Sequence, residues 1–175
     1  MNTEMNGEMV LLDGLNSDLR ISVAMATYNG EKFIEEQLLS ICHQTRKPDE
    51  IVISDDGSKD NTLDIVRRVA QSEDARGIDF VVVTDNPRRG CGGNFEWALS
   101  HTSGDVVFIC GQDDCWLSNK IEEIERIFYN YSDALCVLHN AAVIDAFGQI
   151  SGAEFLTEMD AAILTNCCPR LSATC

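Results

Sequence analysis

The sequence predicts an α/β protein in which a mostly parallel central sheet is flanked by helices on both faces. Short, uniformly apolar runs alternate with segments of helical periodicity, and turn residues separate the two kinds of segment. Runs that are apolar throughout, rather than at every second position, are typical of strands buried on both faces of a parallel sheet. A chain of 175 residues with 45% apolar composition is long enough to bury the core of one such domain.

The first predicted unit is a strand at residues 21–26 followed by a helix at residues 31–43. The strand is a continuous apolar run, and the turn residues Thr27-Tyr28-Asn29-Gly30 end it. In the helix, apolar residues recur at spacings of three and four, and acidic residues lie near the N-terminal end, as the helix dipole favours.

The second unit repeats this design with a strand at residues 51–54 and a helix at residues 61–72, for which Ser58 or Asp60 is the expected N-cap. The remaining predicted elements are a strand at 79–84, a glycine-rich loop at 85–93, a short helix at 94–102, a strand at 105–110, a helix that opens at Ser118 and a strand at 134–139. Strands and helices therefore alternate along most of the chain.

The charge balance excludes some classes of partner. The chain carries 13 basic and 29 acidic residues, a net charge of −16, which disfavours contact with a nucleic-acid backbone or an anionic membrane surface. No apolar stretch has the length of a membrane-spanning helix, and the first residues lack the Lys or Arg of a signal peptide. We expect a cytoplasmic protein that binds no nucleic acid and has no transmembrane segment, and peripheral membrane association stays open.

Composition divides the chain into a flexible leader at residues 1–19, a domain at residues 20–160 and an atypical or truncated tail at residues 161–175. The eight cysteines include no C-x-x-C pair and no zinc-like spacing to histidine, so we expect them to be buried free thiols. The three scattered histidines are expected to be structural.

Two pairs of adjacent aspartates, Asp55-Asp56 and Asp113-Asp114, directly follow two of the predicted strands. Because ligands of open parallel sheets bind at the carboxyl ends of the strands, we expect both pairs at one edge of the sheet. An ionised carboxylate at the end of a buried strand needs solvent or a cation. Asp113 and Asp114 suit Mg²⁺ or Mn²⁺ on a substrate phosphate, and a solvated turn that caps the next helix is the alternative.

Three other polar features near these strand ends each allow two interpretations. Asp55-Asp56-Gly57-Ser58 is either a plain turn or a site that recognises a nucleobase or ribose. Tyr28 either stacks on a base or covers the rim of the sheet. Arg88 and Arg89 either meet a diphosphate, together with the next helix N-terminus, or are solvated. The dinucleotide and P-loop interpretations are weak, because G-x-G-x-x-G and a Walker lysine are absent.

Taken in order, these motifs resemble the family 2 glycosyltransferases, inverting enzymes with the GT-A nucleotide-sugar fold, and in particular their rhamnosyltransferase-like branch. The resemblance runs from about Ile21 to Phe147. The segments that carry it are residues 21–34, 36–45, 50–62, and Phe108-Ile109-Cys110-Gly111-Gln112-Asp113-Asp114-Cys115-Trp116 with Lys120.

The resemblance implies a nucleotide-sugar-binding domain at residues 20–160 with a divalent cation, Mg²⁺ or Mn²⁺. The implied site has a base pocket lined by Ala26 and Tyr28, and Asp56 together with Asp55 contacts the uracil or thymine edge. Asp113 lies near the ribose and the metal, Asp114 holds the metal, and Asn94 borders the donor. We add Arg89 to the nucleotide-sugar-binding residues as a contact for the diphosphate.

The implied activity is inverting transfer of a hexose from a UDP- or dTDP-linked sugar to an acceptor hydroxyl in cell-surface polysaccharide synthesis. The acceptor would be a saccharide or a lipid-linked saccharide. Such a reaction needs a general base, which in the family lies far downstream of the metal motif. Glu154, Glu158 and Asp160 are too early to fill that role, so the catalytic residue is unassigned.

Two departures from the family pattern keep alternatives open. Gly111 stands where the branch usually has another acid, and Leu164 to Cys175 does not match the acceptor region, which favours a truncated or altered-frame product. One alternative is therefore a non-catalytic module that binds nucleotide sugars. Another is an aspartyl-phosphate receiver or phosphatase-like domain, which would be phosphorylated on Asp56 or Asp113.

Overall fold

The computed structural model describes residues 19–84, 88–144, 150–154 and 161–165. The predicted leader up to residue 18 and the predicted tail from residue 166 lie outside the described residues. The strands are β1 (Ile21–Thr27), β2 (Glu50–Asp55), β3 (Asp79–Val83), β4 (Val106–Cys110), β5 (Ala134–His139), β6 (Ala142–Ile144), β7 (Ile150–Glu154) and β8 (Ala161–Thr165). The helices are α1 (Ile34–Cys42), α2 (Thr62–Ala70), α3 (Gly90–Leu99) and α4 (Lys120–Asn130), with a 3₁₀ turn at Glu73–Ala75.

The central sheet has the strand order β3-β2-β1-β4, and its neighbouring strands are all parallel. Its strands are the apolar runs that the sequence predicts, and every residue of β1 and β2 is buried. Since β1 lies between β2 and β4, the residues that follow these three strands leave the sheet at one edge. The predicted parallel sheet is therefore confirmed.

The two faces of β1 differ in side-chain size. Ile21, Val23 and Met25 point into the main apolar core, which includes residues of α1, α2 and α4. The alternate residues, among them Ala24 and Ala26, lie on the face where α3 packs against β1 and β2. Small side chains allow this close approach of the helix, and helices thus flank the sheet on both faces, as predicted.

Several boundaries differ from the prediction. The helix after β3 begins at Gly90 instead of residue 94, so part of the expected glycine-rich loop is its first turn. The Asp56 carboxylate accepts hydrogen bonds from the N–H groups of Arg89 and Gly90 and so caps this turn from a distant part of the chain. The helices α1 and α4 also begin later than predicted, at Ile34 and Lys120.

The fifth predicted strand forms, but it does not join the parallel sheet. β5 pairs antiparallel with β8, and β6 pairs antiparallel with β7. The predicted strand at 134–139 is confirmed, but an apolar run specifies a strand without specifying its partner, so the antiparallel pairing with β8 could not be predicted. Within the ranges given above, no helix combines the length and the apolar character needed to cross a membrane.

Five cysteines lie in the well-described part of the chain, and all are free thiols. Cys42 and Cys110 are buried as predicted, whereas Cys91 and Cys115 are exposed, so the expectation of burial was wrong for these two. Burial raises the pKa of the Cys42 thiol to about 11, against the opposing effect of Lys47. Cys42 is therefore a neutral apolar residue of the core. Cys167, Cys168 and Cys175 lie outside the described residues.

At the amino ends of the strands, the buried carboxylate of Glu50 joins β2 to β1 and to the segments before β1 and β4. It accepts hydrogen bonds from the Ser22 hydroxyl, from the N–H and hydroxyl of Ser103, and from the Arg20 guanidinium. Burial acts to raise the pKa of Glu50, but these hydrogen bonds outweigh it and hold the pKa below its ordinary value of 4.5. The ionised form is therefore the one that stabilises the fold.

We predict that Glu50→Gln makes the free energy of unfolding less dependent on pH in the acid range. Because the folded-state pKa of Glu50 is lowered, its contribution is fully present above pH 4.5 and is lost as the pH falls through the folded-state value. At neutral pH the variant should be less stable by about 1–3 kcal/mol. Urea unfolding at a series of pH values tests this, with Glu36→Gln on the exposed side of α1 as the control. Parallel pH profiles for Glu50→Gln and wild type would contradict it.

Candidate functional site

The two aspartate pairs converge on the end of β1. The N–H of Asp56 donates to the Thr27 carbonyl at 2.9 Å. From the other side, the Gln112 side chain accepts from the Tyr28 N–H at 2.8 Å and donates to the Tyr28 carbonyl at 3.2 Å. The segment after β2 is thus attached to Thr27, the last residue of β1, and the segment after β4 to Tyr28, the residue that follows it. Both acid pairs therefore border the same part of the sheet edge.

The loop after β1 is also hydrogen-bonded to the segment after β2. Side chains of each loop bond to the backbone of the other: Asn29 N–H to Ser58 Oγ at 2.8 Å, Lys59 N–H to Asn29 Oδ1 at 2.8 Å, Gly30 N–H to Thr62 Oγ1 at 2.8 Å, and Glu31 N–H to Asp60 Oδ2 at 3.1 Å. Asn29 has a φ of +49°, a left-handed conformation that asparagine tolerates well. These reciprocal bonds fix the positions of the two segments relative to each other at the carboxyl ends of β1 and β2.

Asp55 is fully engaged by protein groups. Its side chain is buried and accepts hydrogen bonds from the N–H groups of Gly57 and Ser58, from the Ser58 hydroxyl at 2.6 Å and from the Thr27 hydroxyl at 2.9 Å. These contacts shape the turn after β2. The predicted contact of Asp55 with a nucleotide stays a prediction, and the geometry gives this residue the role of holding the turn.

Asp56 is also buried, but it faces a different element. Its two carboxylate oxygens accept from the N–H of Arg89 at 2.6 Å and from the N–H of Gly90 at 3.0 Å. The Arg88 Nε atom lies 3.9 Å from the same carboxylate. Asp56 therefore links the turn after β2 to the start of α3, beside the end of β1.

Of the two adjacent arginines, the structure places Arg88 at this edge. The Arg88 guanidinium lies 4.4 Å from the centroid of the Tyr28 ring, whereas the Arg89 guanidinium lies 4.1 Å from the ring of Trp97 in α3. Both are cation–π contacts. Tyr28 is 38% exposed, so its ring and the Arg88 guanidinium form an accessible pair next to Asp56. Arg89, which the sequence analysis favoured, turns its side chain to the helix.

Asn94 and Ala26 lie beneath this edge, between α3 and the sheet. Asn94 is 2% exposed and lies within α3, which begins four residues before it. Its amide donates to the Thr27 carbonyl at 3.1 Å and accepts from the Ser54 hydroxyl at 2.6 Å. Ala26 is buried on the same face. The contacts of Asn94 with the protein attach α3 to both β1 and β2.

The second acid pair, Asp113 and Asp114, is exposed, and both carboxylates lie close to Gly111. A Cβ atom placed on Gly111 would lie 3.3 Å from an oxygen of Asp113 and 3.3 Å from an oxygen of Asp114. Among the residues that the structure describes, no group of three His, Cys, Asp or Glu side chains could enclose a metal ion. Two exposed carboxylates fit Mg²⁺ or Mn²⁺, which commonly take one or two protein carboxylates and leave other positions to water and phosphate. The small residue at position 111 leaves room between these oxygens.

Lys120 lies on the protein side of this acid pair. Its ammonium is 3.9 Å from the centroid of the buried Trp116 ring. Burial lowers the pKa of Lys120, while the neighbouring Cys110 and Asp114 act in the opposite direction. The Trp116 ring therefore holds a partly desolvated cation near the end of β4.

Gln112 and Thr27 make contacts that join the loops, and these contacts were not predicted from the sequence. Gln112 was visible only as part of the motif that ends β4, and nothing in its spacing indicated a partner 84 positions away. The signal available was its location directly before the acid pair.

The chain belongs to glycosyl transferase family 2, whose family model matches residues 22–165. It is 38% identical over 110 residues to the dTDP-rhamnosyl transferase RfbG of Shigella flexneri, covering 61% of this chain and 37% of that protein. It is 30% identical over 119 residues to the UDP-Glc:alpha-D-GlcNAc-diphosphoundecaprenol beta-1,3-glucosyltransferase WfaP of Escherichia coli, covering 65% of this chain and 45% of that protein.

The fold agrees with this family. The mannosyltransferase PcManGT of Pyrobaculum calidifontis, solved in complex with GDP-Man and Mn²⁺, superimposes with a TM-score of 0.58 at 27% identity, covering 74% of this chain and 37% of that one. The GT-A fold that the motifs implied is therefore confirmed, and the aspartyl-phosphate alternative is set aside. The chain spans less than half the length of each of these three proteins.

We predict that Asp55→Ala lowers the free energy of unfolding by about 3 kcal/mol, because several buried or partly buried donors lose their shared acceptor. Urea denaturation followed by circular dichroism measures the change. Glu96→Ala, which removes an exposed carboxylate from α3, should change stability by no more than about 0.5 kcal/mol. Equal stabilities of the two variants would show that the Asp55 contacts do not hold the turn.

Proposed function

We propose that this chain is the donor-binding part of a glycosyltransferase that moves a hexose from a nucleoside diphosphate sugar to an acceptor hydroxyl with inversion. The observation that carries the proposal is the convergence of the two acid pairs on Thr27 and Tyr28, in a chain that belongs to a glycosyltransferase family. The names of RfbG and WfaP specify dTDP- and UDP-linked donors, which supports a pyrimidine nucleotide here.

The base and ribose would bind beside Tyr28. The accessible ring of Tyr28, paired with the Arg88 guanidinium, offers a planar surface to a base. Asp56 lies next to this pair, and a carboxylate has more acceptor sites than the two N–H groups of Arg89 and Gly90 occupy. Its remaining sites can accept an imide N–H of uracil or thymine. Ala26 forms the floor of this region, and Asn94 keeps α3 in place at the border of the donor.

The diphosphate would lie between the acid pair and the start of α3. Asp114 together with Asp113 would hold Mg²⁺ or Mn²⁺, which when bound neutralises the charge of the departing diphosphate. The Arg88 guanidinium, which lies beside Tyr28 and Asp56, would add positive charge near the diphosphate. In a chain with a net charge of −16, a polyphosphate needs such local cations in order to bind.

The names of the relatives support a proposal for the acceptor and the setting of the reaction. The name of WfaP specifies a sugar attached to diphosphoundecaprenol, which supports a lipid-linked saccharide acceptor and a role in cell-surface polysaccharide synthesis. We place the protein in the cytoplasm, where nucleotide sugars are available, with peripheral contact to the membrane that holds such an acceptor. The general base is unassigned: Glu154 is the last residue of β7, and Glu158 and Asp160 lie outside the described residues.

A module that binds the donor without transferring the sugar is the second candidate, since no general base has been identified. Consumption of the nucleotide sugar distinguishes the two. Release of UDP or dTDP that depends on an acceptor supports the enzyme, and binding without release over prolonged incubation supports the module.

We predict that UDP- or dTDP-sugars raise the melting temperature in the presence of Mn²⁺. A ligand at about 100 times its Kd should raise it by roughly 5–10 °C in a protein of this size. Asp114→Ala should lose most of the increase, because the metal loses a ligand, and chelation of the metal should have the same effect on wild type. Glu73→Ala, at an exposed position far along the chain from either acid pair, is the matched control. A thermal shift that ignores both Mn²⁺ and Asp114 would refute the proposed metal site.

We predict different effects for the two neighbouring arginines. Arg88→Ala should raise the Kd for Mn²⁺–UDP about 3- to 10-fold, because it removes both the partner of the Tyr28 ring and a charge near the diphosphate. Arg89→Ala should leave the Kd within about twofold, because its guanidinium lies against Trp97. Isothermal titration calorimetry compares the two, and a larger effect of Arg89→Ala would reverse the assignment.

A further inference from the structure

The end of β4 is tied to the end of β1 by a side chain instead of by the backbone. The last paired residues of these strands are Met25 and Cys110. Beyond them, the Gln112 amide bonds to both the N–H and the carbonyl of Tyr28, at 2.8 and 3.2 Å. One side chain thus makes the two hydrogen bonds that a partner strand would make, and it does so immediately before the acid pair.

The primary amide of glutamine has the donor and the acceptor that the two bonds need. The contact needs one acceptor for the Tyr28 N–H and one donor for the Tyr28 carbonyl. A glutamate at position 112 would supply acceptors alone, and a methionine of similar length would supply no donor. The two bonds therefore explain why a side chain with both a donor and an acceptor, and not just any polar side chain, stands at position 112.

Gly30 leaves the space that the Gln112 side chain needs for this contact. A Cβ atom at residue 30 would clash with the Gln112 side-chain oxygen. Gly30 is not among the glycines with positive φ, so its backbone conformation does not require glycine. Its lack of a side chain instead leaves the space that the Gln112 amide occupies. Two residues 82 positions apart are thus fitted to one interaction.

We propose that Gln112 is a positioning residue that couples the nucleotide half of the site, around Tyr28, to the metal half, at Asp113 and Asp114. This proposal rests on the proposed function and adds the device that fixes the span between the two halves. Asp113 and Asp114 are exposed and follow β4, which is the outer strand of the parallel sheet among the described residues, so the bonds from Gln112 to Tyr28 set their position relative to the base. A diphosphate that bridges base and metal requires this span to be held.

The first test needs no metal. Because the Tyr28 N–H donates to Gln112, its hydrogen exchange should be at least about tenfold faster in Gln112→Met than in wild type, measured by NMR. Gly30→Ala, which displaces the Gln112 side chain without altering it, should have the same effect. Gln71→Met, at an exposed position after α2, should leave the exchange unchanged. Unchanged exchange in both Gln112→Met and Gly30→Ala would overturn the proposal.

The second test measures the coupling itself. The ratio of the Kd for UDP without and with Mn²⁺ reports how strongly the two halves act together, and Gln112→Met and Gly30→Ala should each lower this ratio at least about fivefold. Binding of uridine without metal should change less than twofold. If wild type binds UDP with Mn²⁺ and both variants keep its ratio, the coupling role is wrong and the proposed function stands. If wild type binds no UDP under any condition, the proposed function fails and the coupling role fails with it.

Discussion

The backbone of Thr27 and Tyr28 is the junction on which the rest of the site depends. The Thr27 carbonyl accepts from the N–H of Asp56 and from the amide of Asn94, and Tyr28 is held through its own backbone by Gln112. Three separate parts of the chain therefore meet at the last residue of β1 and the residue that follows it. A parallel sheet with β1 in the middle makes this possible, because the strands on both sides end at the same edge.

The two aspartates after β2 show how adjacent residues of one type divide two tasks. The Asp55 carboxylate points into the turn that follows β2 and accepts hydrogen bonds from the donors of that turn. Asp56 turns towards α3 and the arginine next to Tyr28. Asp55 therefore stabilises the turn, and Asp56 lies beside Tyr28 and Arg88 at the candidate site. The pair after β4 differs from both, since Asp113 and Asp114 are exposed to solvent.

Much of the fold could be predicted from the sequence because it depends on local patterns. Uniformly apolar runs located the strands of the parallel sheet to within one or two residues, and the acid pairs after them located the edge. The start of α3 could not be predicted in this way, because it is capped by Asp56 from more than 30 positions away. The partner of β5 was also beyond reach, since an apolar pattern carries no information about which strand it pairs with.

The details of the site were predictable only in part for the same reason. Residue types and strand ends indicated where acids and arginines gather, but the choice between Arg88 and Arg89 depends on which aromatic ring each one meets. The bonds of Gln112 and the open space at Gly30 are properties of two segments in contact, and neither segment reveals them alone. Interactions between distant loops, more than the elements themselves, were therefore what the sequence left undetermined.

A crystal structure of the protein with UDP and Mn²⁺, in which anomalous scattering locates the ion, would show whether Tyr28 and the acid pair after β4 bind one nucleotide. We expect one manganese ion within coordination distance of Asp114 and the diphosphate, with the uracil beside Tyr28 and its imide N–H directed at Asp56. A nucleotide bound at another face of the sheet, or an ion that does not contact the acid pair after β4, would contradict it.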